Sequence, residues 1–177
     1  MECFYLLTTT FILRPYVFIF LGVSLDSGQK HLGWRRTGRF FGLTWAIAFI
    51  CEYTSIRIGI PFGEYFYTGS TKDHELYLSN IPFMDSLSFS FLVFASYCLA
   101  LIFVLPPAKG AGQHGWTFEP ALRNSWPVVG LTLVLFTFSD VVIDPVALQG
   151  ERWFLGNIYG YRQEGLYFGV PLANFAG

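Results

Sequence analysis

The chain has 177 residues, of which 53% are hydrophobic, 20% aromatic and only 13% charged. The charged share is about half of what a soluble domain carries, and a formal net charge of -1 provides no field that would attract nucleic acid. The composition therefore excludes a nucleic-acid-binding protein. It favours one integral-membrane domain, residues 1–177, because no linker divides the chain.

Four hydrophobic segments are long enough to cross a bilayer, which takes about 20 apolar residues. They cover residues 4–25, 40–60, 81–105 and 126–148. Arg14 and Pro15 interrupt the first, which predicts a kink or a segment that enters the membrane only partway. We predict an all-α fold, a polytopic transmembrane helix bundle of about four membrane segments plus interfacial or re-entrant segments.

Basic residues predict the orientation of this bundle. The loop after the first segment carries Lys30, Arg35, Arg36 and Arg39, and the loop after the third carries Lys109 and Arg123. Four crossings put these two loops on one side, and the positive-inside rule makes that side cytoplasmic. The second loop and the C-terminal tail are then expected on the outer side.

Five carboxyl groups from three separate stretches are expected near one level of the bundle. One lies late in the second segment, one follows it, one lies early in the third and two lie late in the fourth. Because consecutive helices run in opposite directions, all of these positions are toward the same face. They are Glu52, Glu64, Asp85, Asp140 and Asp144. Ionisable residues inside a membrane usually mark function, so the cluster is the predicted site.

Asp140 and Asp144 stand four residues apart in the apolar run LVLFTFSDVVIDP. On a helix this spacing puts both on one face, with Cβ atoms about 5–6 Å apart. Two carboxyls that close in a low dielectric rarely both ionise, so one should keep its proton near neutral pH. A protonated acid beside an ionised one can act as a general acid–base pair.

Structural roles remain open for each acid taken alone. Asp144 could cap the start of a following helix, with the next residue, a proline, in the first turn. Glu52 could pair with Arg57 or Arg14, and Asp85 could cap the third helix.

The second loop, IGIPFGEYFYTG, and the tail, NIYGYRQEGLYFGVPLANFAG, are both rich in glycine and aromatic residues. Both are too polar for regular spanning helices and are expected on the side of the acid cluster. Together they would form a lid or mouth lined with aromatic rings. Ordinary interfacial anchoring explains their composition equally well.

Other motifs predict no metal or nucleotide site. The three cysteines are widely spaced and the three histidines lack ligand spacing, so no metal is expected. The stretch GAGQHG, residues 110–115, matches a dinucleotide pattern but has no strand-turn-helix context.

Three stretches in this order resemble the integral-membrane carotenoid biosynthesis family, from about residue 13 to 177. They are EYTSIRIGIPFGEYFYTG, SDVVIDPVALQGERWFLG and YFGVPLANFAG. That family includes the carotenoid 1,2-hydratases of bacteria and the bisanhydrobacterioruberin hydratases of haloarchaea. Its members continue past the final asparagine-phenylalanine pair into further helices, so this chain is expected to be a fragment or a C-terminally shortened member.

The resemblance implies acid-catalysed addition of water to the terminal 1,2 double bond of an acyclic carotenoid end, without a cofactor. Asp140 or Asp144 would donate the proton and the other would act as base, while Glu52 and Glu64 position water or balance charge. Aromatic faces would stabilise the carbocation by cation–π attraction. The expected substrate-binding residues are Tyr53, Tyr65, Tyr67, Trp153, Asp85 and Asn174.

The resemblance also implies partners and a location. The substrate would be a lycopene-like polyene that enters from the lipid bilayer, and other carotenoid biosynthesis enzymes are further expected partners. The location would be the cell membrane of a bacterium or archaeon. Three alternatives stay open: an end-group cyclase, which starts from the same cation, a non-catalytic carotenoid-binding subunit, and a small proton-coupled transporter. Against the transporter, no internal repeat is visible.

Overall fold

A computed structural model of the chain describes residues 2–104, 123–150 and 155–177. Five helices account for most of these residues, and the β-structure is limited to short two-stranded pairs. The helices are α1 (Glu2–Leu13), α2 (Pro15–Leu32), α3 (Trp34–Ile58), α4 (Phe83–Val104) and α5 (Trp126–Ala147). The strands are β1 (Tyr65–Tyr67), β2 (Tyr77–Leu78), β3 (Ile81–Pro82) and β4 (Tyr159–Tyr161), and a 3₁₀ helix covers Leu172–Phe175. The predicted all-α class is confirmed.

The predicted interruption of the first segment is a sharp bend between α1 and α2. The two helices meet at 84°. Pro15 begins α2 at a position where its missing N–H is no loss, while Arg14 leaves helical geometry. The bend leaves the Arg14 side chain 2% exposed, and this burial decides which carboxyls it meets.

The loop predicted after the first segment is wrong. Only Gly33 separates α2 from α3, so Arg35, Arg36 and Arg39 lie in the first turns of α3 and Lys30 in the last turn of α2. Arginine and lysine are good helix formers, and charge alone does not end a helix. Gly33 does, because its backbone φ of 79° is in the left-handed region that favours glycine.

Helix α4 lies at the centre of the bundle and contacts α2, α3 and α5. Its contact with α2 and α3 is an aromatic core built around Phe41, Phe91 and Phe94. Its contact with α5 is extensive and includes a second buried cluster around Ala100 and Val128. The serines at 86, 90 and 96 are buried along α4, and small residues of this kind let helices approach closely.

Two helices of the described part, α4 and α5, are long and apolar enough to cross a membrane. The bent pair of α1 and α2 makes a third crossing if it is counted as one span. Helix α3 does not reach this standard, because arginines occupy its first turns and Glu52 and Arg57 its last two. The structure therefore supports two or three crossings by composition, where four segments were predicted.

Two small sheets hold the connections at one end of the bundle. In the first, β2 and β3 pair across Ser79 and Asn80, whose positive φ angles are those of a tight hairpin turn. In the second, β1 follows α3 and pairs antiparallel with β4, which lies in the tail. We call the pair of β1 and β4 the tyrosine ribbon. It joins the second loop to the tail, a strand pairing that the sequence analysis did not predict.

Candidate active site

The tyrosine ribbon presents four tyrosines on one face. Its register pairs Tyr65 with Tyr161 and Tyr67 with Tyr159, and because side chains alternate along a strand all four point the same way. Neighbouring ring centroids lie 5.6 to 6.5 Å apart. The rings therefore form one packed layer between the second loop and the tail.

Asp144 of α5 is held through both carboxyl oxygens, by a tyrosine of this layer and by Asn174 of the 3₁₀ helix. The Tyr159 hydroxyl donates to Oδ1 at 2.8 Å, and the Asn174 side-chain nitrogen donates to Oδ2 at 2.6 Å. Tyr161 donates to the Asn174 oxygen at 2.8 Å, which sets the orientation of that amide. Two donors on one carboxyl stabilise its ionised form.

Asp140 lies one helical turn earlier on the same face of α5 and is partly buried. Within the described part of the chain no hydrogen bond reaches its carboxyl, and the charge that acts on it is that of Asp144. The predicted pair is therefore present, with two different environments for its members.

Glu52 of α3 is bonded from two sides and is 3% exposed. Tyr67 of the ribbon donates to Oε1 at 2.9 Å, and Ser86 of α4 donates to Oε2. The four tyrosines thus lie between Glu52 and Asp144, because Tyr67 binds one acid, Tyr159 binds the other and their rings are neighbours. Glu52 supports the ribbon from inside the bundle.

Arg14 gathers two further carboxyls beside this layer. Its Nε and Nη2 donate to the two Glu75 oxygens, each at 2.9 Å, and its Nη1 donates to Asp85 Oδ1 at 2.7 Å. Glu75 also accepts from the Thr71 hydroxyl. The network ties the bend before α2 to the second loop and to the start of α4.

These contacts differ from the structural roles that the sequence left open for Asp144, Glu52 and Asp85. Helix α5 continues through Pro145 to Ala147, so Asp144 does not cap a following helix. Glu52 meets neither Arg14 nor Arg57 in an ion pair; its partners are Tyr67 and Ser86. Asp85 does lie in the first turn of α4, but it binds Arg14.

Two predicted site residues, Glu64 and Tyr53, lie away from this site. Glu64 is exposed, and its backbone carbonyl accepts from the Arg162 amide. Tyr53 is on the outer surface of α3, with the Arg57 guanidinium 3.5 Å from its ring centroid. Trp153 and the GAGQHG stretch lie outside the described residues.

Burial gives the tyrosine hydroxyls a fixed role as donors. It raises the pKa of Tyr67 and Tyr159 well above the ordinary value, and the nearby carboxyls Glu52 and Asp144 raise the pKa of Tyr67 and Tyr159 further. Both hydroxyls therefore stay protonated at any physiological pH and keep donating to those carboxyls.

Sequence reasoning missed the site's framework, although a signal for part of it exists. The triplets YFY and YGY, residues 65–67 and 159–161, alternate as strands with one tyrosine face do. Glu75 lies in an ordinary polar loop and offers no such signal.

The fold and the site define a helical protein with two or three segments long and apolar enough to cross a membrane, and with a carboxyl and tyrosine site at one end of the bundle. The family model for carotenoid biosynthesis protein matches residues 1–177. The chain therefore belongs to the carotenoid biosynthesis protein family, as the resemblance indicated. Comparison with curated proteins gave no match, and neither did comparison with solved structures.

Proposed function

We propose that the chain is a multi-pass membrane enzyme that hydrates the terminal 1,2 double bond of an acyclic carotenoid end group. The observation that carries this proposal is the Asp140 and Asp144 pair, in which Asp144 accepts two hydrogen bonds and Asp140 is left without one among the described residues. Such a pair suits proton transfer to an alkene and from water. Membership of the carotenoid biosynthesis family supports the substrate class.

The reaction needs only a proton donor, a water and a base. One carboxylic acid protonates the less substituted alkene carbon, so that the positive charge forms on the carbon that carries two methyl groups. Water attacks this tertiary cation while a carboxylate takes its proton, and the product is a tertiary alcohol. Carboxylates stabilise the cation electrostatically in a low dielectric, and aromatic faces contribute by cation–π attraction. No cofactor is required.

The surface of α5 supports entry of a polyene from the bilayer. Leu133 lies seven residues before Asp140, on the same helix face. It is 61% exposed, so this face is open one to two turns further from the ribbon. Ring contacts of Phe89 with Phe62 and Phe136 line the neighbouring edge of α4 and α5. An apolar end group would slide along this edge toward the acids.

Pigment analysis in a lycopene-producing bacterium tests the proposal. Cells that express the chain should accumulate a carotenoid heavier than lycopene by one water, as measured by liquid chromatography and mass spectrometry. Asp140→Ala combined with Asp144→Ala should abolish that product, whereas Asp26→Asn should leave it unchanged, because Asp26 is exposed and its partner among the described residues is Lys30.

Each other outcome argues against hydration in its own way. A product with the mass of lycopene but an altered spectrum would mean cyclisation. Unchanged lycopene, with the protein found in the membrane fraction, would mean that this chain does not hydrate the end group. Hydration that survives the double alanine variant would place the chemistry at other residues.

A further inference from the structure

The two aspartates of the proposed hydratase differ in their surroundings, and this difference assigns their roles. We propose that Asp140 donates the proton to the alkene and that Asp144 orients the water and accepts its proton. The assignment rests on the proposed function and goes beyond it, because the spacing of the pair alone leaves the two roles interchangeable.

The hydrogen bonds on Asp144 favour its carboxylate. Tyr159 and Asn174 both act as donors toward it, at 2.8 and 2.6 Å. A protonated Asp144 would turn its own O–H toward one of these donors and lose that bond. Asp144 is therefore the member of the pair that begins the cycle ionised.

Asp140 has the opposite environment. Among the described residues no donor satisfies its carboxyl, and the Asp144 carboxylate repels a second negative charge one turn away. A proton on Asp140 relieves that repulsion. Asp140 is therefore the acid that has a proton to give.

The positions of the two carboxyls match these roles. Helix α5 runs toward the tyrosine ribbon, so Asp140 lies about 6 Å further from the ribbon than Asp144. Exposed Leu133 is on the Asp140 side, whereas Tyr159 and Asn174 are on the Asp144 side. The alkene would thus meet Asp140 from the apolar side, and water would be held among the polar groups at Asp144.

The proton count closes over one turnover. The Asp140 O–H bond breaks as a C–H bond forms at the less substituted alkene carbon, which leaves the cation and an Asp140 carboxylate. Water then forms the C–O bond and gives one proton to Asp144. That proton passes to Asp140, directly or through a water, and restores the starting state.

Isotope labelling separates the two steps. Membranes that contain the full chain are incubated with lycopene in D₂O, and both the alcohol and the recovered lycopene are analysed for deuterium by mass spectrometry. The wild type should give an alcohol with one carbon-bound deuterium. Asp140→Asn should lower hydration about 100-fold or more and leave the recovered lycopene unlabelled.

Asp144→Asn should lower hydration by a similar factor but still label the recovered lycopene. In this variant Asp140 delivers deuterium to the less substituted carbon and the cation is not captured. The Asp140 carboxylate then removes the protium of the resulting CHD group, so that the alkene re-forms with deuterium in place. Asn174→Ala removes one donor to Asp144 without altering α5. Like Asp144→Asn, it should therefore raise the ratio of labelled lycopene to alcohol. Asp26→Asn should behave as the wild type.

The outcomes distinguish the two proposals. Labelling that persists in Asp140→Asn and vanishes in Asp144→Asn reverses the roles while hydration stands. Loss of labelling in both variants, with wild-type hydration intact, refutes the division of roles. A wild-type chain that neither hydrates nor labels lycopene overturns the proposed function, and the assignment falls with it.

Discussion

Replacing Arg14 with methionine should destabilise the protein far more than breaking the exposed ion pair between Lys30 and Asp26. The change removes three hydrogen bonds to Glu75 and Asp85. The Arg14 and Glu75 side chains are 2% and 0% exposed, so water cannot reach the Glu75 carboxylate that loses its partner. Breaking a buried pair from one side costs about 3–5 kcal/mol, which lowers the equilibrium constant for folding about 150- to 4,000-fold.

Lys30→Met is the matched control for this measurement. It breaks the Lys30–Asp26 pair, whose side chains are 65% and 60% exposed, and pairs of that kind contribute about 0–1 kcal/mol. Unfolding would be followed in detergent micelles by tryptophan fluorescence during denaturant titration. Equal losses in Arg14→Met and Lys30→Met would refute the reasoning.

A rescue variant covers the case in which Arg14→Met does not fold at all. Adding Glu75→Gln and Asp85→Asn removes the stranded charges, so the triple variant should recover much of the lost stability. A triple variant no more stable than Arg14→Met would show that the cost is not electrostatic.

Two further predictions concern the end of the bundle that carries the site. Burial raises the pKa of Tyr67, so the unfolded chain releases that proton first and the free energy of unfolding should fall as pH rises above about 10. Tyr67→Phe should flatten this fall and exposed Tyr5→Phe should not, which denaturant titrations at several pH values would measure. Gly165→Ala should loosen the tail, because a Cβ there would overlap the Val170 carbonyl. Gly22→Ala is the control and should be neutral, because the space around Gly22 is open. Limited proteolysis would measure cleavage of the tail in both variants, and equal protection of the tail would contradict the prediction for Gly165→Ala.

The parts of the fold that depend on local sequence were predictable. Helices α4 and α5 begin and end within two residues of the predicted segments wherever the structure describes them, because a long apolar run leaves a helix few alternatives in a membrane. The bend at Arg14 follows from Pro15 in the same direct way. The end of α2 was misplaced by seven residues, at Leu32 and not Leu25, because polar residues near a helix end do not stop it.

The hydrogen-bond and ion-pair partners of the buried acids were not predictable from local sequence. Topology predicted that acids from several helices share one end of the bundle. Topology did not predict that Arg14 binds Glu75 and Asp85 and not Glu52, because that choice depends on the angle between α1 and α2 and on the fold of the loop that carries Glu75. The bonds from Tyr159 and Asn174 to Asp144 depend on a strand pairing between distant segments, which no local pattern specifies.

The tyrosine ribbon also sets an order of events during synthesis. Its two strands are distant in the chain; Thr68 and Ile158, which hydrogen-bond beside the pairing, are 90 positions apart. All five helices leave the ribosome before β4 and Asn174 do. Until then Tyr67 has no opposite strand and Asp144 lacks the donors Tyr159 and Asn174, so the newly inserted bundle holds an incomplete site. The geometry of the site is therefore completed only after all five helices have been made.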